Sequence, residues 1–402
     1  MTHFSSPAHR AMPWAIVVGV VLVALNLRSP IVAPAPVLGP IRADLGLSST
    51  AAGLLTSLPV LCFAVAGPAA SWVIRRLGPD SAVVLTLLGV LLGTVVRSTG
   101  PAATVFVGTA VIGVAIMVGN IVVPVLIRRD VPWQRAGMVT GLYTASMNVG
   151  SMLTSLGTAP LAAVVGWRWA LAVWAVLAAA GVLYWRPLAR RARAAAAAAA
   201  GPVPQRRERV SPSASRIAWL LLVAFGGQSF AYYAVSAWLP TLLSDTRGLD
   251  AAASGGTASL FQIFAVIGAF GVPALASRAP GWVPVALIGA CWMAMPIGLL
   301  VAPEAYLVWA VVGGVGQGGG FTAILSIIAR VTGSDGEAAS VSARVQTGGY
   351  VISTFGAPVV GAVHAATGGW SAPLGVVLAA TVAFAVSGVV AALLARHHHP
   401  AR

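Results

Sequence analysis

The sequence predicts an all-α membrane protein in which twelve transmembrane helices form two pseudo-symmetric six-helix bundles. Three observations lead to this fold class. The chain is 58% hydrophobic and 8% charged, with a mean hydropathy of +0.90. It holds twelve long apolar runs, and about 20 such residues are enough to cross a bilayer. Its two halves also repeat short sequence patterns at a nearly constant spacing.

The twelve apolar runs have almost no polar face, which argues against a soluble protein with buried helices. The predicted spans are residues 14–38, 50–74, 81–99, 101–127, 137–163, 168–185, 217–243, 254–277, 281–301, 304–329, 338–365 and 370–395. Between residues 186 and 216 the apolar pattern stops, and a run of seven alanines is followed by prolines and arginines. We predict a partly helical cytoplasmic linker there, between an N-terminal bundle (1–185) and a C-terminal bundle (217–402).

The net charge of +15 comes from arginine, since the chain contains no lysine. With the N-terminus in the cytoplasm, 18 arginines fall on cytoplasmic segments, four outside and two within spans. The four outside are Arg42, Arg97, Arg168 and Arg247. This positive-inside bias predicts a multi-pass protein of the cytoplasmic membrane with both termini in the cytoplasm. It also explains the net positive charge without a nucleic-acid partner.

The two halves match at a spacing of 201 residues. Gly113 and Gly119 correspond to Gly314 and Gly320 at this spacing. Each match is weak by itself, because glycine is abundant, but the shared spacing favours a duplicated six-helix unit. Transporters built from such repeats hold their solute near the bilayer midplane, between the repeats.

Arg28 is the most informative residue of the first span. All nine acidic residues are predicted to lie in loops, so a guanidinium at this depth has no buried carboxylate partner. An arginine at the centre of a spanning helix costs about 2.5–3.5 kcal/mol on insertion scales, and such residues are usually functional. A solute that brings a negative charge is the simplest compensation. An arginine that snorkels or caps free carbonyls is the alternative, and it also applies to Arg344, which lies near the cytoplasmic end of span eleven.

Three prolines after Arg28 are expected to loosen the first helix. Pro30 has no N–H, so the carbonyl of Asn26 loses its helical partner, and Pro34 and Pro36 free further carbonyls. Irregular backbone at membrane depth is tolerated where it faces protein or a water-filled cavity. We therefore expect a cavity beside Arg28.

Polar side chains in later spans are candidates to line the same cavity. They are Asn120 in span four, Gln228 and Tyr232 in span seven, Gln262 in span eight, Gln317 in span ten, and Gln346 and Tyr350 in span eleven. Gln228 and Tyr232 are four residues apart and share a helical face. Gln228 also lies close to the position expected to be equivalent to Arg28. For each amide the alternative is an ordinary interhelical hydrogen bond, worth about 0.6 kcal/mol on average.

Several short stretches carry a resemblance to a known group. They are Asn26-Leu27-Arg28, Ile41 to Ser48, Gly119-Asn120 with Pro124, Arg129-Asp130, Gly141-Leu142-Tyr143, Trp238-Leu239-Pro240, Gly316-Gln317-Gly318, and Gln346 with Gly349-Tyr350. Over residues 14–395 the chain resembles the major facilitator superfamily, specifically its cyanate permease and 2-nitroimidazole transporter family. The resemblance implies a two-domain carrier that works by alternating access.

The residues and the resemblance together give a candidate solute-binding set. It consists of Asn26, Arg28, Asn120, Tyr143, Asn148, Gln228, Tyr232, Gln262, Gln317, Gln346 and Tyr350. We expect a small anion or weakly acidic solute, such as cyanate, held by Arg28. Efflux of neutral aromatic or nitroheterocyclic compounds is the alternative. The expected partners are this solute and membrane lipid, and the expected state is a monomer.

The sequence does not predict an enzyme, a cofactor or a metal site. It has no paired carboxylates and no cysteines or histidines at metal-ligand spacing. Cys62 and Cys291 are expected to pack as small apolar residues, and the histidines at 397–399 are expected to be a terminal tail. Proton carriers usually use an intramembrane Asp, Glu or His, and His364 is the one candidate, so carboxylate-based proton coupling is expected to be weak or absent.

Overall fold

The computed structural model describes residues 13–198, 212–333 and 335–396. The described chain is almost entirely helical, and no strand occurs in these ranges. Its α-helices are Trp14–Val32 (α1), Leu38–Leu45 (α2), Ser49–Leu77 (α3), Pro79–Arg97 (α4), Ala102–Asp130 (α5), Trp133–Ala172 (α6), Ala175–Ala198 (α7), Pro212–Arg247 (α8), Ala251–Ile263 (α9), Ala265–Ala276 (α10), Trp282–Val301 (α11), Tyr306–Val331 (α12), Asp335–Thr354 (α13), Gly356–Thr367 (α14) and Ser371–Arg396 (α15). Short 3₁₀ turns, Ala35–Val37 and Pro303–Ala305, precede α2 and α12.

Eleven stretches of the described chain are long and apolar enough to cross a membrane. One of them, Arg135–Ala194, has 60 residues and is far longer than one crossing needs. Gly166 interrupts it with a φ of 77° and a ψ of 158°. The indole Nε1 of Trp174 donates to Thr158 Oγ1 at 3.0 Å, which requires the chain to turn back at Gly166. This stretch therefore crosses twice, and the fold has the twelve crossings that the sequence predicts.

The repeat seen in the sequence corresponds to repeated contacts in the structure. A Cβ atom on Gly119 would lie 2.5 Å from Leu27 Cδ2, and one on Gly320 would lie 2.8 Å from Gln228 Cγ. Both residues of the second contact lie 201 positions after those of the first. The residue equivalent to Arg28 is therefore Ser229, one position after Gln228. The second half has a hydroxyl where the first half has its buried cation.

A second repeated contact lies at one end of the helices. Trp167 Nε1 donates to Asp44 Oδ2 at 3.1 Å, and Trp370 Nε1 donates to Asp245 Oδ2 at 3.1 Å. In both halves the aspartate is followed within three residues by a glycine with a positive φ. These matches confirm an all-α fold of two pseudo-symmetric bundles. We call the end of the molecule that carries Asp44 and Asp245 the aspartate side.

The other end, which we call the arginine side, carries the arginines at the ends of α3, α5 and α12. There Arg129 donates to Asp80 at 2.9 Å and to the neighbouring Asp130 at 2.7 Å. The predicted linker also begins on this side. Its residues up to Ala198 continue α7 as helix, whereas residues 199–211 lie outside the described chain, as do the histidines at 397–399.

Candidate functional site

Arg28 lies in the interface between the two halves and is 6% exposed. Its Nη1 donates to Asn148 Oδ1 of α6 at 3.1 Å. Its guanidinium carbon lies 4.3 Å from the ring centroid of Tyr232 and 5.8 Å from that of Phe321, both in the second half. A cation over an aromatic face is stabilised by the ring quadrupole. No ion pair joins Arg28 to a carboxylate of the described residues.

A chain of amide hydrogen bonds extends from Asn148 into the second half. Gln317 Nε2 of α12 donates to the same Asn148 Oδ1 at 2.9 Å. Gln228 Nε2 of α8 donates to the backbone carbonyl of Gln317, also at 2.9 Å. All three amides are at most 1% exposed. We call Arg28, Asn148, Gln228, Tyr232 and Gln317 the central cluster.

A second polar contact between the halves adjoins this cluster. Asn120 Nδ2 of α5 donates to the Tyr350 hydroxyl of α13 at 3.2 Å. The Tyr350 ring lies between Phe63 and Phe225, at centroid distances of 4.9 and 5.0 Å. Phe225 in turn lies 5.9 Å from Phe321, the second ring beside Arg28. Aromatic side chains thus connect the two polar contacts.

A cavity of about 80 Å³ opens between the halves toward the aspartate side. The residues after α1 that line it include Ala35 and Pro36, and its opposite wall includes Ser236 and Gln262. Gln262 Nε2 lies 3.5 Å from the Tyr232 hydroxyl, whose ring covers Arg28. The sequence predicts a cavity beside Arg28. The cavity in the structure is lined by Gln262, which adjoins the ring over Arg28, and Arg28 itself is not among its lining residues.

Several buried polar atoms around the central cluster make no hydrogen bond to another described residue. They are Asn120 Oδ1, Tyr143 Oη, Gln262 Oε1, Gln317 Oε1 and Gln346 Oε1. An unsatisfied buried polar atom costs about 1–3 kcal/mol. Tyr143 is connected to the cluster through Phe321, at a centroid distance of 6.3 Å. Gln346 is 1% exposed and lies one turn before Tyr350 on α13. Such atoms are suited to exchange hydrogen bonds with a polar solute.

Asn26 departs from the prediction. Its Nδ2 donates to the carbonyls of Leu22 and Leu177, at 2.9 and 3.1 Å, and so joins α1 to α7. Two residues along a helix correspond to a rotation of about 200°. Asn26 therefore points into the first bundle while Arg28 points to the interface, and we remove Asn26 from the candidate set.

Arg97, one of the four arginines predicted to lie outside, is buried. It is the last residue of α4 and is 1% exposed. Its Nη1 donates to the carbonyl of Pro30 at 2.6 Å. Arg344 and His364, by contrast, lie away from the central cluster. Arg344 donates to Ser215 on the arginine side, and His364 stacks on Trp370 on the aspartate side.

The aromatic residues Phe63, Phe225 and Phe321 adjoin the candidate site, and the sequence does not single them out for it. Each lies in an apolar run, where a phenylalanine has the same appearance as one in any helix contact. The sequence offered one signal, the place of two of these residues in the chain. Phe321 lies three residues after the stretch Gly316-Gln317-Gly318 that carries the resemblance, and Phe63 belongs to span two.

Residues 16–309 match the family model described as Major Facilitator Superfamily. The chain belongs to the major facilitator superfamily. It is therefore a multi-pass membrane transporter that carries a small-molecule solute, as the two-bundle fold and the buried interface site also indicate.

Relatives cover nearly the whole of this major facilitator. It is 34% identical to the uncharacterized transporter YycB of Bacillus subtilis, over 93% of this chain and 92% of that protein. It is 31% identical to the 2-nitroimidazole transporter of Escherichia coli, over 94% and 95% of the two chains. It is 28% identical to the cyanate transport protein CynX of Escherichia coli, over 83% and 85%.

A solved structure supports the same fold at much lower sequence identity. The proton:xylose symporter XylE, bound to 6-bromo-6-deoxy-D-glucose, superposes with a TM-score of 0.73 at 11% identity, over 94% of each chain. Similarity at this level of identity concerns the arrangement of the helices. The chemistry of the site has to be argued from the residues of this major facilitator.

Proposed function

We propose that this major facilitator carries a small anion or weakly acidic solute, of the cyanate type, bound at Arg28. The main support is a guanidinium that is 6% exposed and has an amide and two aromatic rings as neighbours. A buried charge without a counter-ion is costly, and a solute anion would compensate it. The cyanate transport protein among the relatives is consistent with this solute class.

The contacts between the halves suggest how the solute would be exchanged. Arg28 and Asn148 of the first half meet Tyr232 and Gln317 of the second. Hydrogen bonds between neutral side chains contribute modestly, about 0.5–1.5 kcal/mol each, so rocking of the halves can break and remake them. A bound anion would accept the Arg28 hydrogen bond in place of Asn148. The cavity on the aspartate side would then be one access path.

The positive-inside bias gives the orientation of this path. The arginine side carries the excess of arginine and would face the cytoplasm, together with both termini. The aspartate side and its cavity would face outward. In this orientation the cavity between the halves would open narrowly to the outside.

A second candidate function is transport of neutral aromatic or nitroheterocyclic compounds. The observation in its favour is the set of rings around the cluster, which includes Phe63, Phe225 and Phe321. Stacked or edge-to-face aromatic contacts contribute about 0.5–1.5 kcal/mol beyond buried area. The 2-nitroimidazole transporter among the relatives supports this class.

Replacing Arg28 tests the proposal and separates the two classes. Arg28→Gln keeps a hydrogen-bond donor but removes the charge. We expect at least about tenfold weaker binding of cyanate, because the charge-assisted interaction is lost, and a much smaller change for 2-nitroimidazole. Binding is measured as ligand-induced thermal stabilisation of purified protein, and transport is measured in proteoliposomes.

Arg344→Gln is the matched control, since it removes a half-buried guanidinium that bonds to Ser215 far from the cluster. It should leave the affinity for both probes within about twofold. Unchanged cyanate binding in Arg28→Gln would refute the proposed anion site. A selective loss of 2-nitroimidazole binding would favour the second function instead.

A further inference from the structure

The last turn of α1 contains a backbone carbonyl whose helical donor is missing. In a helix the carbonyl of residue 30 accepts from the N–H of residue 34, and residue 34 is a proline without an N–H. The backbone remains helical up to this point. Ala33 has φ −50° and ψ −38°, and Pro34 has φ −70° and ψ −25°. An N–H at position 34 would therefore point at the Pro30 carbonyl.

Arg97 supplies the missing donor from another helix. Its Nη1 lies 2.6 Å from the Pro30 carbonyl oxygen. The guanidinium is buried, and its Nε and Nη2 have no hydrogen-bond partner among the described residues. No ion pair of the described chain includes it. The Pro30 carbonyl is thus the one hydrogen-bond partner that the described chain gives this cation.

The backbone of Arg97 is itself held firmly. A Cβ atom on Gly108 of α5 would lie 2.4 Å from the Arg97 backbone nitrogen, so the two helices touch backbone to backbone at this point. Arg97 therefore connects the broken end of α1 to the packed pair α4 and α5. The residues that follow the break, Ala35 and Pro36, line the cavity beside the central cluster.

The second half has neither the proline nor the arginine. The positions 201 residues after Pro30, Pro34 and Arg97 hold Ala231, Val235 and Gly298. Helix α8 runs through Ala231 and Val235 as one element. A Cβ on Gly298 would lie 2.1 Å from the Trp309 ring, and Trp309 is the counterpart of Gly108. The first half therefore has both the proline that lacks the N–H and the arginine that replaces this donor, and the second half has neither.

We infer that Arg97 is a positioning residue for solute binding. By donating to the Pro30 carbonyl, it holds the broken end of α1 against α4, and so fixes both the cavity wall at Ala35 and Pro36 and the register of Arg28 two residues earlier. This inference rests on the proposed role of Arg28 in binding. It assigns to Arg97 no contact with the solute.

Removing the Arg97 donor and restoring the backbone N–H at position 34 together provide a direct test. Arg97→Met removes the guanidinium donor and keeps a long side chain, and it should not hinder membrane insertion because it removes a buried charge. We expect cyanate transport to fall by about tenfold, through a higher KM, because the loosened segment no longer holds Arg28 in place. Pro34→Ala alone should stay within about threefold of the wild type. The double variant Arg97→Met with Pro34→Ala should recover to the level of Pro34→Ala.

The rate of cysteine labelling, measured without solute, separates this inference from the proposed function. In protein in which Cys62 and Cys291 are replaced by alanine, Ala35→Cys is labelled with a membrane-impermeant maleimide. Labelling should become faster in Arg97→Met and return to its original rate in the double variant. If the double variant behaves like Arg97→Met in labelling, or if Arg97→Met changes neither labelling nor transport, the inference is wrong. A failed Arg28 test would leave the labelling result unaffected.

Discussion

At the scale of single residues, the described part of the chain contains two buried guanidinium groups with different surroundings. Arg28 donates to a side-chain oxygen of Asn148 and lies over the Tyr232 ring, in contact with both halves. Arg97 donates to a backbone carbonyl within the first half. The Asn148 amide oxygen can be replaced by a solute oxygen, whereas the Pro30 carbonyl lacks its helical donor at Pro34 and has no substitute for Arg97. The surroundings of Arg28 therefore suit the exchange of a hydrogen-bond partner, and those of Arg97 suit a fixed support for the end of α1.

Placing a carboxylate beside Arg28 tests whether its charge is available to the solute. In Asn148→Asp the new carboxylate would lie where Oδ1 now accepts from Arg28 at 3.1 Å. Two opposite charges about 4 Å apart interact by about 4 kcal/mol at an effective dielectric constant of 20. We expect at least about tenfold weaker cyanate binding with unchanged or higher thermal stability.

Asn148→Ala is the companion variant, because it removes the acceptor without neutralising Arg28. Its cyanate affinity, measured by the same thermal shift, should change much less than that of Asn148→Asp. Equal losses in the two variants would mean that Asn148 acts through shape or its own contact, and that the free charge of Arg28 is not the decisive feature.

The sequence predicts polar site residues better than apolar ones. Gln228, Gln317 and Asn120 stand out because an amide in an apolar run is unusual. Gln317 and Asn120 bond across the interface, and Gln228 bonds to the backbone of Gln317 within the second half. Asn26 stands out for the same reason but bonds within its own bundle. Helical spacing gives the relative faces of residues, but only packing decides which face meets the other half. The phenylalanines could not be separated from the core for the same reason.

At the scale of helices, prolines and glycines decide where the spans break. The prolines after Arg28 predict the loosened end of α1, and the structure has a 3₁₀ turn there, Ala35–Val37. What the sequence could not give is the donor from α4, since no local pattern connects residues 67 positions apart. Gly166 acts differently, because its positive φ turns the chain within α6 and so separates two crossings.

An alanine at Gly166 isolates the cost of this turn. No atom lies within 4 Å of a Cβ built at Gly166, so the substitution changes only the backbone preference at φ +77°. Non-glycine residues in such regions cost about 1–3 kcal/mol. We expect a lower melting temperature for the purified Gly166→Ala protein.

Gly271 in α10 offers a matched control, because a Cβ there also meets nothing within 4 Å and the backbone is helical. Gly271→Ala should be neutral or slightly stabilising, since alanine is favoured over glycine in helices by about 0.5–1 kcal/mol. Equal melting temperatures for the two variants would show that the Gly166 conformation is not what limits stability at this turn.

At the scale of the whole molecule, the two halves share a backbone plan but differ in chemistry. The 201-residue spacing predicts the shared contacts of Gly119 and Gly320. It does not predict the paired tryptophan–aspartate contacts, because Trp167 and Trp370 are 203 residues apart and so fall outside this spacing. The cation is on one side of the interface, and its partner rings are on the other. A site of this kind is complete only when both halves face each other, as alternating access requires.

The distribution of carboxylates leads to a prediction about energy coupling. Among the described side chains, Asp80 and Asp130 lie on the arginine side and Asp44 and Asp245 on the aspartate side, and no carboxylate contacts the central cluster. His364 bonds to Gly369 and stacks on Trp370, away from Arg28. Proton-coupled carriers usually need a titratable group at the pathway. We therefore expect cyanate uptake to be driven by the solute's own gradient.

Proteoliposomes with a clamped membrane potential test this expectation. Initial rates of cyanate uptake with and without an imposed pH gradient should agree within about twofold, after subtraction of uptake into protein-free liposomes, which corrects for permeation of the neutral acid. His364→Gln should give the same result, because the wild-type imidazole is not required. A rate that falls at least about tenfold when the gradient is collapsed would contradict the prediction. If His364→Gln abolished that dependence, the histidine would be the proton carrier. If the dependence persisted, a proton site elsewhere in the chain would be required.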